Sequence, residues 1–126
     1  MIRSKYGNKK VVNQYGSFDS KKEFERYLVL LDMEKKGEIS SLERQIPYEV
    51  IPTQYEMVPI QLKTKVKKQK RIKERATYYY ADFTYVKDGN LVVEDVKASA
   101  KFQDDVYRIK KKLMLYVHGL TIKEIY

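Results

Sequence analysis

The stretch Tyr78-Tyr79-Tyr80-Ala81-Asp82-Phe83-Thr84-Tyr85-Val86-Lys87-Asp88-Gly89-Asn90-Leu91-Val92-Val93-Glu94-Asp95-Val96-Lys97 decides the fold. Two strand-like runs, Tyr78 to Val86 and Leu91 to Ala98, flank Lys87-Asp88-Gly89-Asn90, and Asp-Gly between such runs is a strong hairpin signal. The spacing predicts an antiparallel pair. Strand side chains alternate faces, so Asp95 and Lys97 leave from one side. With Asp88-Gly89 as a two-residue turn, Asp82 lies opposite Asp95; with Gly89-Asn90, it faces Lys97. Either register puts Asp82, Asp95 and Lys97 on one face, and a three-residue loop without a bulge would part them. Glu94 points the other way with Val92 and Val96, toward a structural role or an ion pair.

Outward from the hairpin, Ser20 to Lys36 carries Phe24, Leu28 and Leu31 at helical spacing with Tyr27 beside them, and stops at Gly37. Leu42, Ile46, Tyr48 and Val50 share one parity and predict a strand, which Pro47 assigns to an edge or a bulge. Pro52 and Pro59 bracket what reads as an irregular stretch. After the hairpin, Val106, Ile109, Leu113 and Tyr116 repeat at helical spacing between Asp104-Asp105 and Gly119, and predict a helix with that line as its buried face. Leu120 to Tyr126 closes as a strand. The order helix, strand, hairpin, helix, strand predicts one α/β domain over residues 1–126, a mixed sheet flanked by helices. A basic arm over about residues 1–17 and a basic flap over about residues 63–75 extend from it.

Composition bounds the chemistry. The 126 residues suit a single domain, and 26 Lys and Arg against 17 Asp and Glu leave a net charge of +9, which attracts a polyanion. There is no Cys, no Trp and one His, so zinc fingers, disulfide frameworks, cysteine nucleophiles and multi-histidine metal centres are excluded. His118 reads as a solvated residue at a helix end. No apolar run reaches the ~20 residues of a membrane span and no signal peptide is visible, so a cytoplasmic protein without a membrane partner or small organic cofactor is expected.

Lys63 to Arg75 packs eight basic side chains and one acid into thirteen residues. Its apolar side chains are too sparse for a buried face, which leaves an exposed flap or a two-stranded excursion into solvent. Lys63, Lys65, Lys67, Lys68, Lys70, Arg71, Lys73 and Arg75 either solubilise this loop or track a phosphate backbone. Tyr78, Tyr79 and Tyr80 just after it support stacking or fill the sheet, and strand preference favours the sheet. On the second helix, Arg108, Lys110, Lys111 and Lys112 form either a solvated basic face or one wall of a nucleic-acid groove.

Two carboxylates facing each other on a half-buried sheet repel unless a cation lies between them or one is protonated. Mg²⁺ or Mn²⁺ suits such oxygen donors, and Lys97 two residues along would orient a water and offset phosphate charge. The same Asp95 and Lys97 also fit an ordinary surface pair. Glu23 adds a third carboxylate at the edge of the first helix's apolar face, where it either looks toward the sheet or closes a capping box with Ser20.

Together these residues resemble the PD-(D/E)XK nuclease superfamily, whose core is a helix bearing an acid, then a hairpin carrying Asp and (Asp/Glu)-x-Lys, then a helix and a strand. Phe18-Asp19-Ser20-Lys21-Lys22-Glu23, Tyr80-Ala81-Asp82-Phe83, Val93-Glu94-Asp95-Val96-Lys97 and Tyr107-Arg108-Ile109-Lys110-Lys111-Lys112-Leu113 resemble small phage members of it, over about Ser17 to Tyr126. The resemblance implies a restriction-endonuclease-like fold and metal binding by Asp82 and Asp95, with the Val96 carbonyl as an extra ligand. It further implies Lys97 near the attacking water and Glu23 in or beside the metal shell. Ala81 stands where the family's Pro is usual, and Asp95 where Glu is commoner. The resemblance also extends to Holliday junction resolvases, homodimers that cut four-way DNA junctions. Expected, then, is a Mg²⁺-dependent endodeoxyribonuclease of phage recombination or replication, with Mn²⁺ substituting. A flap, fork or nonspecific nuclease, or a non-catalytic basic DNA-binding phage protein, are the alternatives.

Overall fold

A computed structural model describes residues 9–99 and 103–126. Residues 1–8 of the expected arm lie outside the described residues, and the remainder of that arm is not a loop: β1 (Val11–Asn13) and β2 (Gly16–Phe18) pair antiparallel. The helix α1 (Lys21–Lys35) follows, then β3 (Ser40–Ile51), β4 (Gln54–Gln61), β5 (Val66–Glu74), β6 (Thr77–Lys87), β7 (Asn90–Val96), α2 (Asp105–His118) and β8 (Lys123–Ile125). The central sheet runs β3-β6-β7-β8, antiparallel except for the parallel β7–β8 pair that α2 bridges. This is a mixed α/β fold with a helix on each face, consistent with a restriction-endonuclease-like architecture. No helix among the described residues is long and apolar enough to cross a membrane.

Asp88 and Gly89 form the two-residue turn, both at positive φ (51° and 77°), as the hairpin turn matched to strand twist requires. Its register pairs Lys87 with Asn90 and Phe83 with Glu94. Pro47 lies on the edge strand β3, where its missing N–H leaves the sheet intact.

One core cluster gathers Val50, Tyr79, Ala81, Val93, Tyr107, Met114 and Ile122 on the α2 side. The other gathers Leu30, Ile39, Phe83 and Tyr85 on the α1 side. Tyr79, Ala81, Phe83 and Tyr85 share parity yet divide between the two clusters, so β6 turns its faces over at Asp82. β3 turns with it: Arg44 pairs with Phe83 and Ile46 with Ala81, and Gln45 between them has φ of 51°.

Three expectations change. The stretch between Pro52 and Pro59 is mostly the regular strand β4, which pairs with the basic strand β5 in a separate two-stranded ribbon. The basic run is therefore the solvent excursion, and every residue of β5 is exposed. On α1 the buried positions are Glu23 and Leu30, while Leu28 is exposed. On α2 the buried residues are Tyr107 and Met114; of the expected line, Leu113 packs half-buried against the core, while Val106, Ile109 and Tyr116 face solvent. The cause is polar: the Tyr107 hydroxyl and Lys111 Nζ both donate to Glu124, at 2.6 and 3.1 Å, so a tyrosine ring and a lysine stem cover the sheet there.

Candidate active site

Where the β6–β7 ladder ends, Asp82 closes it with a side chain. Its Oδ2 accepts the Val96 amide at 2.8 Å, and its Oδ1 accepts Gln45 Nε2 at 3.3 Å. Gln45 Nε2 also lies 3.1 Å from Glu23 Oε1, so one amide tethers a strand carboxylate to a helix carboxylate. Glu23 is only 3% exposed. Ser20 caps α1 by accepting the Glu23 amide at 3.1 Å, and Glu23 Oε2 accepts the Asp19 amide at 3.1 Å. The capping box is thus only half formed: Ser20 accepts the Glu23 amide, but the Glu23 carboxylate takes the Asp19 amide in place of the Ser20 amide, and it faces the sheet through Gln45.

Carboxylate oxygens of Asp19, Glu23 and Asp82 lie within 4.8 Å of one another. Burial and the nearby charges of Asp95 and Glu23 push the Asp82 carboxyl up to about 8 from its ordinary 3.8. Burial raises Glu23 too, with Arg44 and its hydrogen bonds opposing. Three hard oxygen donors crowded together, Glu23 buried, Asp82 half-buried and Asp19 exposed, fit a divalent cation, which resolves the repulsion. This acidic cluster can hold a metal ion.

Asp95 lies close enough for its charge to raise the Asp82 carboxyl, and it stands outside the three converging carboxylates. It is buried, its Oδ2 accepts the Tyr79 hydroxyl at 2.7 Å, and its Oδ1 pairs with Lys97 Nζ at 2.9 Å. Lys97 also lies 3.2 Å from the Tyr107 ring centroid. The structure thus joins Asp82 to Glu23 and Asp95 to Lys97, the two pairs meeting at Val96. Glu94 points the other way as its parity requires, into a bidentate pair with Arg26 at 2.8 and 2.6 Å and a bond from the Tyr85 hydroxyl.

Sequence reasoning missed Asp19, Gln45, Lys21 and Lys22. A cavity of about 500 Å³ is lined by Ser20, Lys21, Lys22, Glu25, Val96, Lys97 and Ala98, at the N-terminus of α1. Lys22 Nζ donates to the Lys97 carbonyl at 2.9 Å, stitching helix to strand end. The adjacency of Asp19 to the Ser20 cap was the available signal for that residue; nothing local in Gln45 announces its bridging role. Of the candidate groove residues, Lys111 is committed to Glu124, whereas Arg108 and Lys112 remain exposed. His118 is exposed, its Nε2 2.7 Å from the Glu49 carbonyl, and has no part in the cluster.

A family model described as "Protein of unknown function (DUF1064)" matches residues 3–123. Comparison with curated proteins and with solved structures gives no match.

Proposed function

The chain belongs to the DUF1064 family, and we propose that it is a metal-dependent endodeoxyribonuclease of the PD-(D/E)XK type, cutting branched DNA such as four-way junctions during phage recombination or replication. The observation that carries this reading is the convergence of Asp19, Glu23 and Asp82 beside a cavity lined by Lys21, Lys22 and Lys97. Carboxylates alone describe a cation site; carboxylates against ammonium groups at a helix N-terminus describe a site for a cation and a phosphate together.

In this reading Asp82, Glu23 and Asp19 hold Mg²⁺, or Mn²⁺ in its place, with Asp95 and the Val96 carbonyl as further oxygen donors. The bound cation would supply positive charge against the phosphodiester and acidify a water in its shell. Lys21 and Lys22, with the helix N-terminus, draw the phosphate oxygens into the cavity. Asp95 orients Lys97, whose ammonium would face the negative charge that develops on the phosphoryl oxygens. Gln45 and the Val96 amide hold Asp82 in place. The β4–β5 ribbon, with Lys63, Lys65, Lys67, Lys68, Lys70, Arg71, Lys73 and Arg75, tracks the DNA backbone, helped by Arg108 and Lys112. A homodimer belongs to the same proposal, supported by the exposed apolar line Val106, Ile109 and Tyr116 on α2.

The test is cleavage of a labelled four-way junction beside linear duplex of the same sequence, with Mg²⁺, Mn²⁺ or EDTA. Paired symmetric nicks in the junction alone, lost in EDTA and in Asp82→Asn, are the expected result. Cutting of both substrates identifies a general nuclease. A shifted but uncut junction with every metal overturns the enzyme in favour of a DNA-binding protein.

A further inference from the structure

Between the acidic cluster and the base of the basic ribbon runs an exposed strip that the catalytic reading leaves unused. On β6, Tyr79 is 3% exposed in the core, but Tyr78 and Tyr80 on either side are 39% and 56% exposed. Their ring centroids lie 6.4 Å apart, tilted by 45°. Across the strand pair, Pro47 faces Tyr80 and Glu49 faces Tyr78, and both of these β3 residues are exposed. The strip begins at the Gln45 side chain that binds Asp82 and Glu23, and it ends at the Ile51–Thr77 pair, where the chain leaves for the ribbon. On β3, Gln45, Pro47 and Glu49 lead from the side chain that binds Asp82 to the residues paired with Tyr80 and Tyr78.

We propose that Tyr78 and Tyr80 form a stacking platform for unpaired nucleobases of the DNA strand that enters the acidic cluster. The inference rests on the DNA-cleaving reading and deepens it by naming the strand form that reaches the site. Two features select bases over backbone. The strip carries no basic side chain, and its one carboxylate, Glu49, repels phosphate. Its aromatic faces offer the sequence-tolerant stacking surface that every base fits. The strong positive charge begins only beyond Thr77: residues 54–75 hold eight basic and two acidic side chains, +6 of the chain's +9. Duplex phosphate on the ribbon and splayed bases on the tyrosines give the two halves of a branch point separate seats.

The experiment uses the full chain in EDTA, so that no strand is cut. A duplex with a short single-stranded overhang carrying 2-aminopurine is compared with the blunt duplex. Expected are quenched 2-aminopurine emission on binding and a loss of about 5- to 150-fold in overhang affinity for Tyr78→Ser/Tyr80→Ser, with blunt-duplex affinity unchanged. Tyr78→Phe/Tyr80→Phe restores both signals, because the ring and not the hydroxyl is used. Equal loss on both substrates, unchanged overhang affinity with a bright probe, or failure of the Phe variant to restore binding each overturns the platform. Circular dichroism of the Ser variant confirms that the fold persists. If quenching is seen but no metal gives cleavage, the platform stands and the nuclease reading falls.

Discussion

Replacing Asp82 with Asn should stabilise the metal-free protein, and more strongly as pH rises. The folded Asp82 carboxyl titrates near 8 against an ordinary value of 3.8, because burial and then the charges of Asp95 and Glu23 oppose ionisation. A folded pKa above the unfolded one means that the native state binds the extra proton. Stability from this group is therefore full below about pH 4, declines as pH rises, and is fully lost above about pH 8. At ~1.4 kcal/mol per pH unit, the interval from 3.8 to 8 sets a ceiling near 6 kcal/mol. Water entry and side-chain relaxation soften buried-charge penalties, so we expect about 2–3 kcal/mol for Asp82→Asn at pH 8 and little at pH 4. Urea unfolding in EDTA at pH 4, 6 and 8 measures both proteins. Titration with Mn²⁺ at pH 6.5 in two buffers of different ionisation enthalpy reads the coupled event, release of up to about one proton per ion bound, absent in Asp82→Asn. If Asp82→Asn is destabilised at pH 8, or if wild-type apo stability does not fall between pH 4 and 8, the crowded-carboxylate account of the site is wrong.

Three further outcomes follow from particular contacts. Arg26→Ala leaves Glu94, whose side chain is 0% exposed, without its bidentate partner, and should cost about 3–5 kcal/mol by urea unfolding, whereas Arg26→Met/Glu94→Leu should recover most of it. Substituting Lys67, Lys68, Lys70 and Arg71 with Gln should weaken binding to every DNA sequence and reduce the salt slope by up to about 3.6 on a log–log plot, read by fluorescence anisotropy. For the homodimer proposed above, light scattering should give a dimer for the unsubstituted chain and a monomer for Ile109→Glu, on the exposed line of α2, with the unfolding midpoint unchanged at low protein concentration.

The site was legible where chemistry is carried by local alternation. Asp88-Gly89 sets a two-residue turn, the turn sets the register, and the register brings Asp82 to the end of the ladder beside Val96. Pro47 marked its own strand as an edge because a missing N–H has meaning only in a ladder. Gln45 was not legible, and Asp19 only through its place beside the Ser20 cap, since their roles depend on the N-terminus of α1 meeting the point where β3 and β6 turn over. Helical periodicity also misassigned the buried face of α2: Val106, Ile109 and Tyr116 make the more apolar line, yet the helix buries Tyr107 and Met114.

The choice between two hairpin registers and the strands β1, β2 and β4 came from the structure; by itself, the sequence determined the two helices, the edge strand, the hairpin and the closing strand in their order, the carboxylate and lysine inventory, and the net positive charge. All of these follow from backbone sterics, period-two alternation and counting, which act within a few residues. Only the tertiary structure decided that Asp82 joins Asp19 and Glu23 while Asp95 pairs with Lys97, that the basic run takes β4 as its partner, and that two of three consecutive tyrosines stay in solvent. Those outcomes depend on which surfaces meet across long separations in the chain, where Glu124 satisfies Tyr107 and Lys111, and Gln45 ties a strand to a helix.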